Sequence, residues 1–231
     1  MAPDVLSLRH PFYDRPWGQS FLVLIVVLLV SRSTLTFVSM DPLTDMQATV
    51  LSWPTTIGIV LAGVAVMSLS KRTPMANNWR PPSSAVAVHA GLVGGTCGAV
   101  LVGLDLGFGL GIPHVGFPQS LAFYAYGAIA QELLLRLLPL SGIVWLAALL
   151  TSEERHHRWA FWAVGVIVAL FEPVGILGLV SPLRLLPRGL VFATVLGANL
   201  AAVELYRRYG LYAAVSERVS LYLVWHVLFV G

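Results

Sequence analysis

An all-α polytopic helical bundle embedded in a membrane is the fold class this sequence predicts, on three observations. Charged residues are 11% of the 231 and hydrophobic residues 57%, whereas a soluble domain carries about 25% charged residues. The chain therefore lacks the polar surface needed to stay in water. Its apolar residues gather into runs close to the roughly 20 residues that a spanning helix needs. Its basic residues, thirteen Arg and Lys71, sit mostly between those runs, which reads as membrane topology rather than as a nucleic-acid footprint.

The length fits one domain, with 1–18 as a cytoplasmic N-terminal segment and 19–231 as a single transmembrane domain. Met1 to Gln19 is polar and holds Pro3, Pro11 and Pro16, so the first apolar run is expected to be a retained span rather than a cleaved signal. The runs predict spans at about Gln19–Val38, Val50–Ser70, Ala85–Leu104, Ser120–Leu138 (stopped near Pro139), Trp159–Leu177, Leu190–Tyr206 and Leu211–Val230. Leu140–Leu150 is too short to cross alone; it is either a half-helix or a continuation of the fourth run. The total is seven to eight spans. The Gly-rich stretch Leu106–Pro118, with His114, is expected to be a surface turn or a short re-entrant segment.

Orientation follows from the flanking charges. Arg9 and Arg15 precede the first span; Lys71, Arg72 and Arg80 follow the second; Arg155 and Arg158 precede the fifth; Arg207 and Arg208 divide the sixth from the seventh. Asp41, Asp45 and the Asp105–Gln119 loop fall on the other side, and only Arg184 and Arg188 oppose the pattern. The positive-inside rule then places the N-terminus in the cytoplasm of a bacterial-type inner membrane. Trp17, Trp53, Trp79, Trp159 and Tyr209 stand near span ends, as interfacial anchors do. Cys97 is the single cysteine, which excludes a disulfide within the chain and any cysteine-pair metal site.

Ionisable groups inside a bilayer are costly, so each marks a candidate site. The fourth span carries Gln131-Glu132-Leu133-Leu134-Leu135-Arg136, in which Glu132 and Arg136 are four apart and can pair on one helix face. The plainer reading is that such a pair only ties helices together. Glu172, just before Pro173, and the adjacent Glu217 and Arg218 are further intramembrane charges. Glu217-Arg218 has its own plain reading, a kink near the interface. His89 and His226 are lone membrane histidines, each a candidate axial ligand for a haem or chlorophyll-type pigment, against the commoner role of a hydrogen-bonded bundle residue. His156 and His157 lie in a charged loop and are expected to be solvated. Gly91, Gly94, Gly95 and Gly98 offer a small-residue face for close helix packing, within the bundle or between chains.

The segment Gln131–Arg136 resembles the Glu-Glu-x-x-x-Arg motif of the CPBP family, the CAAX-processing and bacteriocin-processing intramembrane endopeptidases related to the Ras-converting prenyl proteases. Leu170-Phe171 opens a stretch similar to the family's Phe-x-x-x-His motif. Leu205-Tyr206-Arg207-Arg208-Tyr209-Gly210-Leu211 resembles the lead into its last motif, with Ala213-Ala214, Ser220 and Val224-Trp225-His226-Val227 following at the family's distances. The resemblance covers about 120–231 and implies the family's helical core. It also implies a catalytic Glu, two histidines and an Asn or Asp four residues after the second. At those positions this chain has Gln131, Gly175, Arg218 and Tyr222; of the first motif, only Glu132 and Arg136 match. Gln has no useful basicity, Gly has no side chain, and Arg stays protonated. A metal site has lost its imidazoles as well, so none is expected.

The resemblance thus implies a pseudoprotease whose cavity has become a salt-bridged core of Glu132, Arg136, Glu172 and Arg218. The expected function is that of a structural, assembly or stabilising subunit, whose partners are the bilayer and other integral membrane subunits and not nucleic acid. Two alternatives stand beside it: an active endopeptidase with an altered site, using Glu132 as base, and a pigment- or haem-bearing subunit of a photosynthetic or respiratory complex. A transporter built from inverted repeats is not supported, because no broken-helix pair recurs in matching halves.

Overall fold

A computed structural model describes residues 16–36, 52–70, 83–112, 114–179 and 185–229. Among these the chain is helical, with no strand. Seven continuous helices follow in order: α1 Pro16–Thr36, α2 Trp53–Ser70, α3 Ser84–Phe108, α4 Gln119–Leu150, α5 Glu154–Leu179, α6 Leu185–Tyr209 and α7 Leu211–Tyr222. A π-helical turn, Leu223–Val227, extends α7. Four helices, α3 to α6, are long and apolar enough to cross a membrane, and α1 and α2 are shorter apolar helices. The ends predicted at Val38, Val50 and Val230, the anchor Trp79, the flanking Arg9, Arg15, Lys71, Arg72, Arg80 and Arg184, and Asp41 and Asp45 lie outside the described residues.

Local chemistry sets the helix ends. The Ser52 hydroxyl accepts from the Thr55 amide at 3.3 Å to open α2, and Ser83 does the same for Val86 at 3.4 Å to open α3. Gly109 closes α3 at φ 59°, donating its amide to the Asp105 carbonyl at 2.7 Å. A single residue, Gly210 at φ 83°, joins α6 to α7. That backbone geometry favours glycine and lets α7 fold straight back.

One boundary differs from the sequence expectation for a clear reason. Pro139 does not stop the fourth helix. Residues Leu133–Ser141 widen into a π-helical segment, and α-helix resumes from Gly142 to Leu150. In a regular α-helix the proline ring would strike the carbonyl four residues back. The wider turn relieves that clash while leaving the backbone internally bonded, as an apolar medium demands. Leu140–Leu150 is thus a continuation of α4, not a half-helix. The loop expected from Leu106 is shorter, since α3 runs to Phe108.

α7 is the hub, packed against α3, α4 and α6. One apolar core joins Phe21 and Leu28 of α1, Leu133, Leu137 and Leu140 of α4, and Tyr206 of α6. A second joins Leu101 of α3, Val191 and Val195 of α6, and Leu221 with the buried Trp225. The glycine face of α3 is spent inside the bundle. A Cβ on Gly94 would overlap the Glu217 carbonyl, and one on Gly98 would lie 2.8 Å from the Leu221 carbonyl. Gly91 meets Ser220, whereas Gly95 has only the Val224 side chain at 3.8 Å. Outward-facing apolar side chains such as Val23, Ile57, Leu92, Ile167 and Phe171 cover the outside, as lipid contact requires.

A candidate site: the buried ion network

The two apolar cores share α6 and α7, and a cluster of buried polar and ionisable residues stands on those helices and on α4 and α5. Glu132, Arg136, Asn199, Glu217 and Arg218 are all 0% exposed; the Glu172 side chain is 15% exposed. Arg218 is the centre. Its Nε donates to Glu132 Oε1 at 3.2 Å, its Nη1 to Glu172 Oε2 at 2.8 Å and its Nη2 to Asn199 Oδ1 at 2.6 Å. Arg136 approaches Glu132 at 3.2 Å across one helical turn and donates to the same Asn199 oxygen. The Asn199 amide donates to Glu172 Oε2 at 3.0 Å. Gln131 joins the acid at its own end, its Nε2 donating to Glu172 Oε2 at 2.8 Å, while the Tyr222 hydroxyl donates to its Oε1.

Four helices therefore meet in one chain of contacts, and the four-residue core expected from sequence is present with Gln131, Asn199 and Tyr222 added to it. Of the six motif positions, Gln131, Glu132, Arg136, Arg218 and Tyr222 converge. Gly175 does not: it is exposed, with nothing within 4 Å of an added Cβ. Glu172, one turn earlier, supplies the polar group that α5 contributes. Glu217 and Arg218 do not mark an interfacial kink, since both are wholly buried within α7.

The network holds no imidazole. Glu132 Oε1 lies 3.2 Å from both guanidiniums. Gln131 spans Glu172 and Tyr222 as a neutral donor and acceptor. This arrangement stiffens four helices against one another.

The histidines are placed elsewhere. His89 is on the exposed face of α3. His226 is 7% exposed, stacked on Tyr124 at 4.3 Å and on Trp225 at 4.2 Å. Its Nδ1 shares a 2.8 Å hydrogen bond with His114 Nδ1, and His114 Nε2 lies 3.6 Å from Asp105. With rings on two sides and Nδ1 taken, His226 sits as a packed bundle residue does. Among the described residues no group of three or more His, Cys, Asp or Glu is arranged to hold a metal ion. His157 corrects the solvated reading: it is buried, its Nε2 2.9 Å from the Thr151 carbonyl, while His156 is half-exposed.

Asn199 is the network residue that sequence reasoning missed. Its signal was available, as a lone amide in the middle of an otherwise apolar helix. His114 was read as a loop residue, and nothing in its spacing points to a partner 112 positions away.

No protein-family model, curated protein or solved structure matches this chain.

Proposed function

We propose that the protein is a non-catalytic, CPBP-like integral membrane bundle that serves as a structural, assembly or stabilising subunit of a larger membrane protein complex. The observation that carries this reading is the cross-linking of the motif region by ion pairs and hydrogen bonds. Glu132 is contacted by two arginines and Gln131 by Tyr222, and in the resemblance Gln131, Arg218 and Tyr222 stand at the sequence positions of the family's base, its second histidine and its Asn or Asp. A scaffold persists when its chemistry is lost, and function has to be read from the site.

In this reading all seven helices cross the bilayer, with the N-terminus in the cytoplasm of a bacterial-type inner membrane. Support comes from two basic stretches that lie at one end of the bundle. Arg207 sits 5.9 Å over the ring of Trp162, near the start of α5, whose first turns carry Arg155 and Arg158. Asp105, in the last turn of α3, and His114, in the connection from α3 into α4, lie together.

A mild-detergent pull-down tests the proposal, with the co-purifying subunits identified and the absorbance of the eluate recorded. A stoichiometric membrane complex supports it. A protein that purifies alone and cleaves peptides in a manner abolished by Glu132→Gln overturns it in favour of the endopeptidase. Pigment or haem bands that vanish with His89 or His226 substitution point to the cofactor-bearing subunit.

A further inference from the structure

The buried network has an odd charge. Its acids are Glu132, Glu172 and Glu217; its bases are Arg136 and Arg218. Three carboxyl groups against two guanidiniums leave one negative charge if all five ionise. A lone charge in a low-dielectric interior costs several kcal/mol even after relaxation, and within a membrane span the cost is at least as high.

The contacts say which carboxyl bears the imbalance. Glu172 Oε2 accepts three hydrogen bonds, one from a guanidinium. Glu132 Oε1 lies 3.2 Å from both Arg136 and Arg218. Glu217 is as buried as either, yet neither of its carboxyl oxygens has a hydrogen-bond partner, and its nearest cation, Arg218 Nε, is 4.0 Å away and already engaged by Glu132. The charged and titratable groups that act on it are Arg218 on its own helix, Glu132 and Arg136 from α4, Glu172 from α5 and Cys97 from α3. Gly94 brings α3 against the Glu217 carbonyl and closes that side.

We propose that Glu217 is a proton-binding site: it sits in the bundle as a neutral carboxylic acid, and the proton it holds brings the five-membered network to zero net charge. The ligand is a single proton. A neutral carboxyl can be buried without a counter-ion, whereas its anion cannot. The assignment does not depend on whether the protein is a subunit or an enzyme.

Infrared spectroscopy of the whole protein tests it, in a maltoside detergent that has no carbonyl of its own. At about pH 8 the exposed carboxyls are ionised, so the carbonyl stretch of a neutral acid reports a buried one. The wild type is expected to show such a band, sensitive to deuterium exchange. Glu217→Gln should fold normally and lose it. Absence of the band in the wild type overturns the proposal, as does its persistence in Glu217→Gln, which would put the proton on another carboxyl. Failure of Glu217→Gln to fold also counts against it, since a neutral acid should accept its isosteric amide.

Discussion

Arg218→Met is the most informative single perturbation of this fold, because it keeps most of the side-chain volume and removes only the charge and the donors. Arg218 makes hydrogen bonds of 3.2, 2.8 and 2.6 Å to Glu132, Glu172 and Asn199, all within the bundle. Removing one partner of a buried ion pair costs about 3–5 kcal/mol, because the other charge is stranded. Here two carboxylates lose a partner, although Arg136 still stands by Glu132, so the middle of that range is expected. About 4 kcal/mol is roughly a thousandfold in the folding equilibrium. Cys97 provides the assay. It is the only cysteine in the chain, it is half-buried on α3, and it packs against the core that α7 contributes to. A fluorogenic maleimide that labels Cys97 on unfolding should then show a much lower denaturant midpoint for Arg218→Met. Arg218→Lys should fall between the two proteins, since one ammonium cannot reproduce a fork that reaches three acceptors. A Met variant within about 0.5 kcal/mol of wild type, the usual range of a surface change, would refute the network as the tie between these helices.

Three further outcomes follow from the geometry. Gly94→Ala should destabilise the protein strongly, because its Cβ meets the Glu217 backbone and not a movable side chain, while Gly95→Ala, with its nearest neighbour at 3.8 Å, should be close to neutral in the same Cys97 assay. Tyr206→Phe should cost about 1–2 kcal/mol by stripping the buried Ser141 hydroxyl of its 2.6 Å partner, read as a shift of the denaturant midpoint without a change in slope. Gln131→Glu should weaken the fold by at least about 1–3 kcal/mol, because a donor to Glu172 becomes a second carboxylate beside it. It should also yield no peptidase activity towards a panel of peptides; cleavage by this variant would overturn the proposed non-catalytic reading.

How much of this was legible in the sequence depends on whether the signal was local. The helices were readable, four of them long and apolar enough to span a membrane, because a run of apolar residues needs no partner to be recognised. Their ends were off by a few residues, since the helices continue into polar stretches such as Glu154–Arg158. The passage through Pro139 was not readable. A π turn depends on packing around Leu133, Leu137 and Leu140, all wholly buried, and the sequence shows only the proline. The ion network was readable as a set of charges that had to find one another in a medium without water. Its topology was not, because Asn199 links Arg136, Arg218 and Glu172 across three helices. His114 with His226 shows the same limit, as two ordinary residues made into a pair by tertiary structure alone.

Those distant contacts bear on why the network takes this form. If helix packing were all the membrane fold required, apolar residues of similar volume would serve as well, since buried ion pairs rarely exceed them in stability. What charges add is register. Arg218 finds its three acceptors only when α4, α5, α6 and α7 stand at one relative height and rotation, and Gly94 and Gly98 lock α3 against α7 at the same level. A one-turn slip of α7 would carry Arg218 away from Glu132, Glu172 and Asn199 together, leaving uncompensated charge that lipid cannot solvate. The network thus penalises misregistered bundles more than it stabilises the correct one.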